Sequence, residues 1–214
     1  TFIYLPESIT AIGENAFYGC SGLTAIALPA KLQSLGSHAF YNCSGLTALS
    51  LPDSLTSIGT YAFAGCSGLT TIAIPEGVET IDEYTFFNCT GLETAILPAS
   101  LETLGSYAFS RCTSLSSVTI PESVETIGEK VFYQANPEVM LTVWTDSAAE
   151  EYALENGLRY KYDLSCYSPA EDFHYTKEAD GSIAINRYTG DDKTVLIPPE
   201  IDGMQVGAIG SLLF

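Results

Sequence analysis

The sequence predicts an α/β repeat solenoid, and three columns of residues carry that prediction. Cysteines fall at 20, 43, 66, 89 and 112, prolines at 6, 29, 52, 75, 98 and 121, and phenylalanines at 17, 40, 63, 86, 109 and 132. Every column steps by 23 residues. Three residue types held in one register make that step the organising unit of the chain.

One full unit, residues 23–45, reads LTAIALPAKLQSLGSHAFYNCSG, and its neighbours keep the pattern L-x-x-I-x-(L/I)-P-x-x-(L/V)-x-x-(I/L)-G-x-x-A-F-x-x-C-(S/T)-(G/S). Asp82 replaces the glycine in one unit. The L-x-x-I-x-I run alternates as a short strand does. Proline ends that strand because it has no N–H to give a ladder. The next apolar pair, such as Leu32 and Leu35, predicts a second short inward-facing segment. Gly36 and its equivalents allow a tight turn. The A-F-x-x-C segment reads as one helical or 3-10 turn with Ala, Phe and Cys toward the core, and the Ser-Gly pair closes the coil. A unit this small buries no apolar face alone, but stacked coils wall one another, with parallel strands about 4.8 Å apart. A 23-residue period lies within the leucine-rich-repeat range. The expected fold is a leucine-rich-repeat right-handed stack of short parallel strands with helical/3-10 turns, followed by a small β-rich segment.

The period divides the chain. Residues 1–135 form the array, about six coils of which the first is truncated. Residues 136–164 break the period and read as a C-terminal cap. Ser147 and Glu150 form a capping box that opens a helix near residues 147–156, which ends at Gly157; a final strand follows over 158–163. Residues 165–214 read as a β-hairpin, with strands over 173–177 and 183–188 around Ala179-Asp180-Gly181. A further strand is expected over 194–198. The tail from Val206 to Gly210 and Phe214 matches Ile9 to Gly13 and Phe17, the threshold of a second, truncated array. Both ends are therefore expected to be cut from a longer protein.

Composition excludes several functions. The chain is 46% hydrophobic and 16% charged, enough to build a core. No run approaches the ~20 apolar residues of a membrane span. No secretory signal is visible, and Thr1 does not look like a natural start. With 26 acidic residues against 8 basic, the net charge of −18 repels phosphate backbones and argues against nucleic acid.

The run from Ile120 to Phe132, IPESVETIGEKVF, and the recurring A-F-x-x-C turns resemble the BspA-like bacterial leucine-rich repeats. The resemblance covers residues 1 to about 135. It implies a secreted or cell-surface bacterial protein, some relatives being adhesins for host matrix proteins or other cells. The family pattern contains no catalytic residues, so none are carried over.

The columns themselves offer four candidate sites. Cys20, Cys43, Cys66, Cys89 and Cys112 invite a disulfide or metal reading, yet in-register side chains point the same way and five cannot all pair. No CxxC or His pair supports a metal. A buried thiol ladder beside Phe17, Phe40, Phe63, Phe86, Phe109 and Phe132 is the favoured reading. Cys166 lies outside the ladder as a candidate free thiol. The outward strand positions form a small, hydroxyl-rich face. Thr71, Glu93, Thr94, Ile96, Ser117 and Thr119 are its candidate ligand-binding residues, with Glu93 and Ile96 the clearest departures. Residues two before and one after each Phe place at least one ring in every coil, an aromatic stripe including Tyr61, Tyr84 and Tyr107. It is either inter-coil stacking or a platform for sugars or proteins. Glu79, Glu102 and Glu125, with Glu76 and Glu122 nearby, form an acidic column that reads as a solvated face rather than a calcium loop. Asn42 and Asn88 begin formal glycosylation sequons at positions where the repeat needs a turn residue.

Catalysis has little support. The two histidines, His38 and His174, fall in different segments, and no catalytic motif appears. No cofactor or metal is implied. The expected function is a cell-surface or secreted binding module for adhesion to a protein or glycan partner, such as host matrix. A non-binding structural spacer is the alternative, and part of a secreted enzyme is the remote one.

Overall fold

The computed structural model describes residues 1–165, 167, 169–190 and 195–209. They fall into two compact units, Thr1–Tyr162 and Asp163–Phe214.

The first unit is a parallel-strand β-solenoid. Below, coil 1 is residues 1–22, and coils 2 to 6 begin at 23, 46, 69, 92 and 115. Three-residue strands at Phe2–Tyr4, Ala25–Ala27, Thr71–Ala73, Thr94–Ile96 and Ser117–Thr119 form one row. Met140–Val143 and Arg159–Tyr162 extend that row in parallel beyond the repeats. Two-residue strands at Ala11–Ile12, Ser34–Leu35, Ser57–Ile58, Thr80–Ile81, Thr103–Leu104 and Thr126–Ile127 form the second row. Wherever strands of neighbouring coils pair, the register is 23 residues, for example Thr71 on Thr94 and Ile81 on Leu104. Between the rows lies one continuous core of leucine, isoleucine and valine with the Phe and Cys columns. Consecutive Phe rings stack nearly parallel, with centroids 5.1–5.8 Å apart from Phe17 to Phe132.

The A-F-x-x-C segment is not the helical or 3-10 turn expected from sequence. It is a chain of hydrogen-bonded turns. In coil 2 the N–H groups of Ala39, Tyr41 and Cys43 bond to carbonyls three residues back, while those of His38, Phe40 and Asn42 donate to Thr60, Ala62 and Ala64 of coil 3. Every second N–H thus points along the solenoid. The backbone achieves this with left-handed residues, His38 and Asn42 both at φ 56°. No helix directs its N–H groups alternately out of itself. The result is a third seam joining the coils, beside the two strand rows.

The helix Ala148–Glu155 covers the end of the core, burying Ala149, Tyr152 and Ala153. Ser147 Oγ accepts the Glu150 N–H at 3.2 Å, and the Glu150 carboxylate accepts the N–H of Asp146 rather than that of the cap itself. Gly157, at φ 62°, ends the helix.

In the second unit, Phe173–Lys177 pairs antiparallel with Ile183–Tyr188, which pairs parallel with Met204–Ile209. Phe173, Ile183, Ile185 and Ile201 form its small core. The strand expected over 194–198 is absent from its described part, residues 195–198. Pro198 and Pro199 supply no ladder N–H there; Val195 and Ile197 still pack on the core. Thr194, Cys166, Gly210 and Phe214 lie outside the described residues.

Candidate functional site

Alternation along each strand turns every second residue outward. Thr71, Glu93, Thr94, Ile96, Ser117 and Thr119 are all exposed on the first strand row. The register brings them together, with Thr94 opposite both Thr71 and Ser117, and Ile96 opposite Ala73. Ile96 is 55% exposed, a large apolar side chain where the equivalent residues of coils 2, 3, 4 and 6 are Ala27, Ser50, Ala73 and Thr119. Glu93, exposed beside it, receives the Ser116 N–H and hydroxyl on its backbone carbonyl, both at 3.3 Å.

The same register exposes residues that the repeat pattern alone did not single out. Phe2 and Tyr4 sit opposite Ala25 and Ala27, 51% and 80% exposed, with ring centroids 4.5 Å apart. Their signal was available by aligning the first unit with the second. At the far end Arg159 and Lys161 occupy the outward positions opposite Met140 and Thr142, and Arg159 pairs with Glu138. The strand face thus runs from two aromatic rings, across small residues, to two cations. Residues 47–51 and Thr70, Thr71 and Ala73 line a shallow depression of about 420 Å³ in its middle.

The aromatic stripe lies on the turn seam. His38, Tyr61, Tyr84 and Tyr107 stack in series, centroids 4.9, 4.5 and 4.8 Å apart and rings within 6° of parallel. Lys130 closes the column over the Tyr107 ring at 5.7 Å. All five residues are left-handed, φ 55–59°, a conformation unusual for an aromatic side chain. The rings are half-buried by one another. A partial second column adds Tyr18 on Tyr41, and Phe87 with Arg111 over its ring. The stripe is therefore inter-coil stacking that leaves ring edges at the surface.

The thiol ladder has a definite chemistry. Cys43, Cys66, Cys89 and Cys112 are fully buried, and each Sγ–H donates to the Phe carbonyl of the preceding coil at 3.1–3.2 Å. Burial pushes the Cys43 thiol up to about 11 and that of Cys112 to about 12, and raises Cys66 and Cys89 as well. Four protonated thiols serve packing, not nucleophilic attack. Cys20 departs from the expected buried ladder: it is exposed, and Phe17 is only half-buried. Glu79, Glu102 and Glu125 are exposed along the second row, their coils joined by backbone bonds of 2.8 and 3.0 Å. Among the described residues, no group of three or more His, Cys, Asp and Glu gathers as metal ligands. Nor, among them, is any helix long and apolar enough to cross a membrane.

Comparison with known proteins agrees with this geometry. The family model described as BspA type leucine rich repeat region matches residues 1–90 and 34–147, with six copies. A crystal structure of a leucine rich cell surface protein from Faecalibacterium prausnitzii is 31% identical, covering 94% of this chain and 49% of that one, with a TM-score of 0.64. A leucine rich repeat protein of T. pallidum is 29% identical over 66% of this chain and 57% of its own, TM-score 0.45. One from Bacteroides ovatus is 25% identical over 77% and 52%, TM-score 0.45. The chain thus spans about half the length of these solved relatives. No curated protein matches it.

Proposed function

The chain belongs to the BspA-type leucine-rich-repeat family, and from that premise we propose that it is a non-catalytic binding module of a bacterial cell-surface or secreted protein. Its partner is a protein or a glycan, host matrix included, and its role is adhesion. The observation that carries this reading is Ile96, exposed three residues after exposed Glu93 and in a strand position where coils 2, 3, 4 and 6 carry Ala, Ser, Ala and Thr. The strand itself does not require an isoleucine there, since Ala27, Ser50, Ala73 and Thr119 hold the equivalent positions in other coils. Exposed Phe2 and Tyr4 on the same face support it, since rings at a surface anchor interfaces. Thr71, Thr94, Ser117 and Thr119 then supply hydroxyls around the anchor. The ring edges of Tyr61, Tyr84 and Tyr107 form a second, smaller contact surface on the turn seam.

A F. prausnitzii relative is described as a cell surface protein, which supports the location. The test is to screen the chain against immobilised matrix proteins and a glycan array. Saturable binding to one class is the expected result. A chain inert across both panels makes it a spacer that holds other parts of its protein apart.

A further inference from the structure

Both strand rows break at the same junction, between coils 3 and 4. In the second row, Ser57–Ile58 ends one three-stranded sheet and Thr80–Ile81 begins another. In the first row, residues 47–51 form only an isolated bridge, Ala48 with Ala25, and Thr71–Ala73 is the edge of its sheet. The rungs missing here are present elsewhere. Gly36, Gly59, Gly105 and Gly128 donate to Ile12, Leu35, Ile81 and Leu104 of the coil before at 2.7–2.9 Å, whereas the equivalent bond from Asp82 to Ile58 is not made. Glu102 and Glu125 donate to the coil before, but Glu79 does not. The turn seam nevertheless crosses the junction intact: Phe63 and Gly65 donate to Thr85 and Phe87 at 2.9 and 2.8 Å, and Tyr61 stacks on Tyr84 at 4.5 Å.

The glycine column explains the break. A Cβ added at Gly36, Gly59, Gly105 or Gly128 would lie 2.4–2.6 Å from a backbone nitrogen of the preceding coil. Such contacts are forbidden, so a side chain at this position forces the coils apart. Asp82 carries that side chain.

We propose that this junction is a hinge: Asp82 wedges coils 3 and 4 apart along both strand rows, and the turn seam is the axis about which the strand face opens and closes. The depression lined by residues 47–51 and by Thr70, Thr71 and Ala73 marks the opening on that face. The hinge is independent of any ligand, so it stands or falls separately from the binding role.

Hydrogen exchange on the full chain reads the wedge, with Asp82→Gly and Asp82→Ala as variants. In the wild type, the amides of Thr70, Glu79 and Asp82 exchange at least tenfold faster than those of Glu93, Glu102 and Gly105. Asp82→Gly restores protection at Glu79 and residue 82 by tenfold or more, while Asp82→Ala, which keeps the Cβ, does not. Spin labels replacing Phe2 and Ser117, roughly 24 Å apart at five strand spacings, in a background with Cys20→Ser and Cys166→Ser, read the motion. Their distance distribution narrows with Asp82→Gly, while labels at Thr71 and Arg159, both beyond the junction, show no change. Equal protection on both sides in the wild type, closure by Asp82→Ala, or equal distribution widths in wild type and Asp82→Gly overturns the proposal.

Discussion

The Sγ of Cys66 lies 3.1 Å from the carbonyl oxygen of Phe40, which also accepts the Cys43 N–H at 3.1 Å. One carbonyl thus closes a turn in its own coil and tethers the next coil's thiol. Replacing Cys66 by Ala removes the second bond and leaves a small void. The expected loss is about 1–2 kcal/mol in urea unfolding. A neutral substitution would show that the thiol merely fills space.

The ladder thiols also set an alkaline limit. Their protons are held more tightly in the folded state than in the unfolded one, so the folded chain binds more protons and stability falls as pH rises. The loss begins near pH 9, where an unfolded thiol ionises, and continues toward the folded values of about 11 and 12 for Cys43 and Cys112. Over that window each thiol withdraws about 1.4 kcal/mol per pH unit. Chemical denaturation from pH 7 to 10.5 checks it, and a flat profile above pH 9 contradicts it. At pH 8 a thiol reagent should label exposed Cys20 quickly and these four only on unfolding.

Phe86 stands mid-column, stacked on Phe63 at 5.4 Å and Phe109 at 5.3 Å and fully buried. Phe86→Ala should cost about 3–5 kcal/mol. The same change at half-buried Phe17 should cost less than half as much, as measured by thermal or urea unfolding.

Tyr84 tests which effect wins on the turn seam. Its left-handed backbone, φ 58°, disfavours any ring-bearing side chain, and Asn tolerates that conformation better. Tyr84→Asn therefore relieves backbone strain but removes stacks on Tyr61 and Tyr107 and the half-buried area they share. Each stack is worth about 0.5–1.5 kcal/mol beyond burial, so a net loss of about 1 kcal/mol is expected. A stabilised variant would mean that the stripe is kept for something other than folding.

Much of this was legible in the sequence because a stacked repeat assigns each column one job. The 23-residue step by itself places Leu32, Phe40 and Cys43 inward, and alternation places Thr94 and Ile96 outward. The turn differs from the helical pattern for a physical reason. Ala39, Phe40 and Cys43 have the spacing of a helical face, and that pattern is blind to the sign of φ. Asn42, Gly65 and Asn88 at one left-handed position were a readable sign; His38, Tyr61 and Tyr84 at the other were not, since rings rarely sit there. Asp82 was visible as a departure, but its consequence depends on how closely Gly59 and Gly105 approach the coil before them, a distance no single sequence displays. Phe2 and Tyr4 are found only by aligning the first unit with the second, which sets them at the positions of Ala25 and Ala27.

The binding role rests on the strand face, and its most direct measurement is the affinity of the double variant Glu93→Lys with Ile96→Ser for whichever matrix protein or glycan the wild type captures. Both positions are exposed, so the melting temperature should hold within a few degrees. The expected affinity is at least tenfold weaker at unchanged stability. Unaltered binding by the folded variant would contradict it and move the contact off this face.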